Sequence, residues 1–124
     1  MIEGKFVDGN KPMVEATIAS PSLKAVQIPY FVLDTGFTGD LAVTHLMAEE
    51  LGLQVDGVAE MRTAENRLIS FPTANAIAVM GPERLLVSVI IKEGLPLLGI
   101  SFLEKFKYKA VVDCYRKTVQ VLVS

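Results

Sequence analysis

The stretch from Tyr30 to Thr44, YFVLDTGFTGDLAVT, constrains the fold more than any other part of the chain. Phe31, Val32 and Leu33 run straight into Asp34-Thr35-Gly36, and a second apolar run, Leu41-Ala42-Val43, follows Asp40. The pattern reads as a buried strand, a tight polar loop and another strand. A carboxylate at the end of a buried strand is costly unless it is hydrogen-bonded or shares a proton. Gly36 and Gly39 let the backbone turn sharply and approach a neighbour closely. A loop carried on rigid strands is a good place to hold a catalytic group. An Asp-Thr-Gly also serves as a plain turn, so the rest of the chain must decide between the two.

With 124 residues, the chain is long enough for one domain, 1–124, with a real core. Apolar residues make up 51% and charged residues 21%, the balance of a soluble globular protein. The net charge is −2, and only Lys105-Phe106-Lys107-Tyr108-Lys109 forms a local basic group. That group is too small for a nucleic-acid footprint and reads as a solvated edge, so no nucleic-acid partner is expected. Cys114 is the only cysteine, which excludes an internal disulfide. It lies in the apolar run Val111-Val112-Asp113-Cys114 and reads as a buried structural thiol. With His45 the only histidine there is no Cys/His set for zinc, and neither metal nor cofactor is expected. The opening MIEGKFVDGN has no apolar core of a secretory signal. The longest apolar runs, such as Leu85 to Ile91, are too short to span a bilayer. The expectation is a cytoplasmic protein with no membrane partner.

Residues 2–8 and 12–19 are strand candidates around the hairpin signal Asp8-Gly9-Asn10. Met13, Glu15 and Thr17 alternate with Val14, Ala16 and Ile18, as for a strand with one face inward. Residues 24–34 return as a strand, with an edge or bulge expected at Pro29. Thr44 can cap a short helix, with Met47 and Leu51 four apart and Gly52 as its stop. His45, in its first turn, reads as a surface residue, because no nucleophile partner is apparent. Val58 to Thr63 and Leu68 to Val79 read as the arms of a hairpin with Ala64-Glu65-Asn66-Arg67 at its tip, where Asn tolerates the left-handed conformation. A strand over 85–91, a brief helix from Ser101 to Lys105, and two strands over 108–113 and 117–123 complete the chain. Asp113 reads as a strand-end or turn residue. The class is all-β and barrel-like, with one or two short helices.

Apolar-apolar-Asp34-Thr35-Gly36 comes first, and Leu97-Leu98-Gly99 opens a short helix well downstream, with a polar-tipped hairpin between them. This ordered set resembles the retropepsin-like group of aspartic proteases, single-domain relatives of pepsin, over nearly the whole chain. The tail, Leu98-Gly99-Ile100-Ser101-Phe102-Leu103 followed by Val111-Val112-Asp113-Cys114 and Lys117-Thr118-Val119, is similar to retrotransposon-type and bacterial members. The resemblance implies a closed barrel-like acid-protease fold and makes Asp34 the catalytic aspartate. It makes Thr35 the residue whose hydroxyl locks two active-site loops together across a dimer, and Gly36 the glycine that admits the substrate. Leu97, Leu98 and Gly99 would pack beneath the loop, and Thr63, Ala64, Glu65, Asn66 and Arg67 would form the flap. Many family flaps carry glycine at the tip; this one does not.

Peptide hydrolysis on this plan needs two carboxylates about 3 Å apart that share one proton. This chain has a single Asp-Thr-Gly, and Asp113 lacks the Thr-Gly that would make it the second. A two-fold axis would supply the other Asp34, which implies a homodimer acting on a peptide or protein substrate. The terminal strand, Lys117 to Val123, is apolar enough to join an inter-subunit sheet. Two other readings compete with the endopeptidase: a peptide-binding or dimerisation module on the same fold without turnover, and a generic β-barrel carrying a chance tripeptide.

Overall fold

The computed structural model describes residues 1–124. In chain order its elements are β1 (Ile2–Glu3), β2 (Lys5–Val7), β3 (Lys11–Glu15), β4 (Thr17–Ala19), β5 (Val26–Gln27), β6 (Tyr30–Leu33) and β7 (Leu41–Val43). Helix α1 (His45–Leu51) follows, then β8 (Val55–Arg62), β9 (Leu68–Met80), β10 (Glu83–Ile91) and β11 (Leu97–Leu98). Helix α2 (Ile100–Phe106), β12 (Tyr108–Asp113) and β13 (Thr118–Val123) end the chain.

Ten strands form one sheet in the order β2-β3-β6-β11-β7-β10-β9-β4-β5, with β8 paired to β9. The sheet curls into a half-barrel. The curl has a local cause. The strand expected over 12–19 is interrupted at Ala16, and its partner over 24–34 is interrupted at Pro29. Pro29 has no N–H to give to a ladder, and its carbonyl instead accepts from the Ala16 N–H at 3.2 Å. One half of the bent ribbon, β3 with β6, therefore sits near one end of the sheet. The other half, β4 with β5, pairs with β9 at the opposite end. Strands that are continuous in sequence thus bring the two ends of the sheet towards each other.

Val14, Ala16 and Ile18 point inward as their alternation predicts, and join Phe31, Leu41, Val87, Val89, Leu98 and Phe102 in the core. Helix α1 forms because Thr44 Oγ1 accepts the Met47 N–H at 3.2 Å, and it stops at Gly52, which has φ 67°. Ala48 and Leu51 are its buried face, with Met47 packed at the edge of the core. No helix is long and apolar enough to cross a membrane.

A second sheet has the order β1-β13-β12 and corrects two expectations. The terminal strand β13 is its central strand, paired with β1 on one side and β12 on the other. β12 covers the whole of one edge and β1 the middle of the other, which leaves little of it for an inter-subunit sheet. Cys114 is exposed rather than buried. It follows β12, an outer strand whose Val111 and Val112 are themselves exposed rather than buried, so the apolar run does not mark a core segment.

Candidate active site

Asp34 follows the last residue of β6, and the support beneath it is a two-residue strand. β11 lies between β6 and β7, parallel to the first and antiparallel to the second, with Leu98 level with both Leu33 and Leu41. The Leu98 carbonyl accepts the Asp34 N–H at 3.0 Å. The next two residues bind the loop from below: the Gly99 N–H donates to the Asp40 carbonyl at 2.9 Å, and the Ile100 N–H donates to the Phe37 carbonyl at 3.0 Å. Helix α2 has no side-chain cap. The Phe37 carbonyl takes one of the N–H groups that a helix N-terminus leaves unpaired. A Cβ on Gly99 would run into the carbonyl oxygens of Gly39 and Phe37, so only glycine lets helix and loop come this close. The structure thus brings Leu97, Leu98 and Gly99 to the Asp34 loop.

Asp34 is half-buried, while Thr35 and Gly36 are exposed. The Gly36 N–H donates to Asp34 Oδ1 at 2.9 Å, and the Phe37 N–H donates to the Asp34 carbonyl at 3.1 Å. The carboxylate is therefore held over its own turn. Each chain offers one such carboxylate. None of the four cavities in the chain is lined by Asp34, Thr35 or Gly36.

The hairpin of β8 and β9 closes with Asn66 at φ 65°. Its tip bonds to itself. The Asn66 N–H donates to the Thr63 carbonyl at 2.9 Å and the Thr63 N–H to the Arg67 carbonyl at 2.8 Å. The Arg67 N–H donates to Thr63 Oγ1 at 3.3 Å. Arg62 Nη1 spans the turn, donating to Asn66 Oδ1 at 3.0 Å. Ala64, Glu65, Asn66 and Arg67 are exposed. Just below the tip the hairpin turns apolar. Ala59 stands opposite Phe71, and Met61 opposite Ile69. Ala59, Met61 and Phe71 pack with Leu97 on a small cluster of Phe37, Ala42 and Ile90, separate from the main core. The hairpin just below its tip therefore packs on the cluster that includes Phe37, a residue of the Asp34 loop.

Four residues that no motif marks also contribute to this region: Phe37, Asp40, Ser88 and Lys105. Lys105 was expected on a solvated basic edge. Instead its ammonium pairs with Asp40, whose side chain is buried. The signal was available, since Asp40 opens the fully buried run Leu41-Ala42-Val43, and a carboxylate there demands a cation or N–H donors. Other placements agree with expectation. His45 is exposed, and its N–H and ring bind Glu93 at 2.9 and 2.8 Å. The His45 main-chain N–H, then its ring, hold the Glu93 carboxyl below its ordinary value. Asp113 ends β12 and accepts the N–H groups of Tyr115 and Arg116, a turn role.

No family model and no curated protein matches the chain. Among solved structures, the crystal structure of a retropepsin-like aspartic protease from Rickettsia conorii is similar to it, with a TM-score of 0.62. The likeness covers 95% of this chain and 85% of that one, at 20% sequence identity. Together with the sheet order and the strand-loop-strand around Asp34, it shows that this chain has a retropepsin-like fold.

Proposed function

We propose that the chain is an aspartic endopeptidase that acts as a homodimer, with one active site at the two-fold axis. The observation that carries this reading is Asp34: a half-buried carboxylate fixed by the Gly36 N–H on a loop held by Leu98, Gly99 and Ile100. Two copies facing each other would share one proton. One carboxylate would act as the base for water, and the other as the acid that polarises the scissile carbonyl. The exposed Thr35 would meet its counterpart across the axis, and Gly36 would leave room for the substrate backbone. The hairpin tip, Thr63 to Arg67, would close over a peptide whose apolar side chains meet the partly buried Met61 and Phe71. The site residues, a chain working as one domain and a cytoplasmic setting belong to the same proposal.

The second reading, a peptide-binding module without turnover, is favoured by the glycine-free tip that Arg62 and Asn66 close on themselves. One experiment separates the two. Initial hydrolysis rates are measured against pH on a peptide with apolar residues at the cut, for the native protein and Asp34→Asn. A shared proton gives a bell-shaped profile on the acidic side, and Asp34→Asn lowers the rate by about a thousandfold or more while the fold remains. Native-rate cleavage by the variant would sink the assignment. Sedimentation at micromolar concentration tests the dimer: full activity in a protein that is always monomeric would exclude it.

A further inference from the structure

The far end of the Asp34 loop is fixed by a buried charge. Asp40 is only 3% exposed. Its Oδ2 accepts the Ser88 N–H at 2.8 Å and the Lys105 ammonium, while its main-chain carbonyl accepts the Gly99 N–H. The register explains the first of these bonds. The parallel ladder between β10 and β7 starts at Val89 opposite Leu41. Ser88, one residue earlier, has its N–H beyond the end of that ladder, and the Asp40 carboxylate stands where a strand carbonyl would otherwise be. Lys105 reaches the same oxygen from α2, the helix whose start already holds the Phe37 and Asp40 carbonyls. One residue thus joins the loop to β10 and to both ends of α2.

A buried carboxylate is expensive, and an apolar residue in its place would escape the desolvation penalty. What the charge adds is direction. An apolar side chain tolerates sliding, whereas a carboxylate with two donors fixes the distance and angle between the groups it joins. No buried side-chain N or O atom in the chain lacks a partner, so the arrangement is complete as it stands.

We propose that Asp40 and Lys105 are positioning residues. By anchoring the end of the loop to β10 and α2, their ion pair sets where Asp34 is held and how it faces a second copy and the substrate. The catalytic consequence rests on the hydrolysis proposed above; the anchoring does not.

The test uses Asp40→Asn, which keeps an acceptor for Ser88 but discards the charge, and Lys105→Gln. The Lys105 side chain is 43% exposed, so this second variant carries the test if the first does not fold. Amide hydrogen exchange and steady-state kinetics are read on the folded fraction. The expected result is exchange at Phe37, Gly99 and Ile100 faster by about tenfold or more, with Thr63 to Arg67 unchanged. Hydrolysis should lose about ten- to a hundredfold in kcat, with KM within about twofold, because a loop shifted by a fraction of an ångström still binds but aligns poorly. A merely structural pair would lower stability and leave kcat per folded molecule at the native value; that result overturns the proposal, as does native exchange at the three loop-side amides. If the native protein hydrolyses nothing, the proposed function falls, and the exchange measurement alone decides on the anchor.

Discussion

The Asp34 loop and the tip of the β8–β9 hairpin are both short polar turns, yet they are held in opposite ways. Every tie that fixes the loop from below comes from far along the chain: Leu98, Gly99, Ile100, Ser88 and Lys105. Every hydrogen bond at the tip is made between Arg62 and Arg67. A turn held by distant partners is as rigid as the core that supplies them. A turn held by itself keeps its shape while it moves as a unit. A site that needs one fixed carboxylate and one movable cover has use for both kinds.

The strongest way to break the contrast is Gly99→Ala. Its Cβ meets backbone oxygens, which cannot rotate away, so overpacking should cost about 3 kcal/mol. The urea midpoint should fall, and exchange at Phe37 should rise with it. A variant as stable as the native chain would mean that α2 does not press on the loop as described.

Tyr108→Phe is a milder break on the same side. Tyr108 stacks on Phe106 at the end of α2, and its hydroxyl donates to the Met80 carbonyl at 3.0 Å. Losing that bond should cost about 1 kcal/mol at neutral pH. Burial first, and then the Glu83 charge, push the Tyr108 phenol above its ordinary value of 10.0. A raised folded value means that the contribution is complete below pH 10.0 and is lost as pH rises through the folded value. Stability against pH should therefore fall less steeply on the alkaline side in the variant, and parallel curves would count against the buried phenol.

The smallest effect is expected at the tip. Asn66→Ala puts an ordinary side chain at φ 65° and removes the Arg62 partner, at a cost of about 1 kcal/mol or less. Exchange should quicken from Thr63 to Arg67 and stay native at Phe37 and Ile100. Loosening at those two amides would show that tip and loop are one unit.

The same division decides what the sequence could reveal. The tip, the Asp8-Gly9 hairpin, the Thr44 cap and the Gly52 stop are written in adjacent residues, and each could be read from turn and cap chemistry. The pairing of Leu97-Leu98 under Asp34 was legible only through resemblance, because a two-residue strand has no periodicity. Asp40, at the head of a buried run, announces that it needs a partner, but nothing in the spacing of two charges across β8, β9 and β10 marks Lys105 as that partner. Cys114 was misjudged because an apolar run on an outer strand looks like one in the core. The terminal strand was apolar enough for an inter-subunit sheet, but its own neighbours, β12 and β1, already use one edge and the middle of the other.

β11 has one more consequence, for the order in which the chain is made. β6 and β7 are joined by the Asp34 loop yet have no ladder between them; β11 is the strand that lies between. A growing chain presents β6, the loop and β7 long before Leu97 emerges. Until then the Asp34 N–H lacks its acceptor and Asp40 lacks its cation. Contacts this distant in sequence form late, because the entropy of closing the intervening chain comes first. A nascent or truncated chain that ends before α2 therefore carries the Asp-Thr-Gly sequence without its geometry.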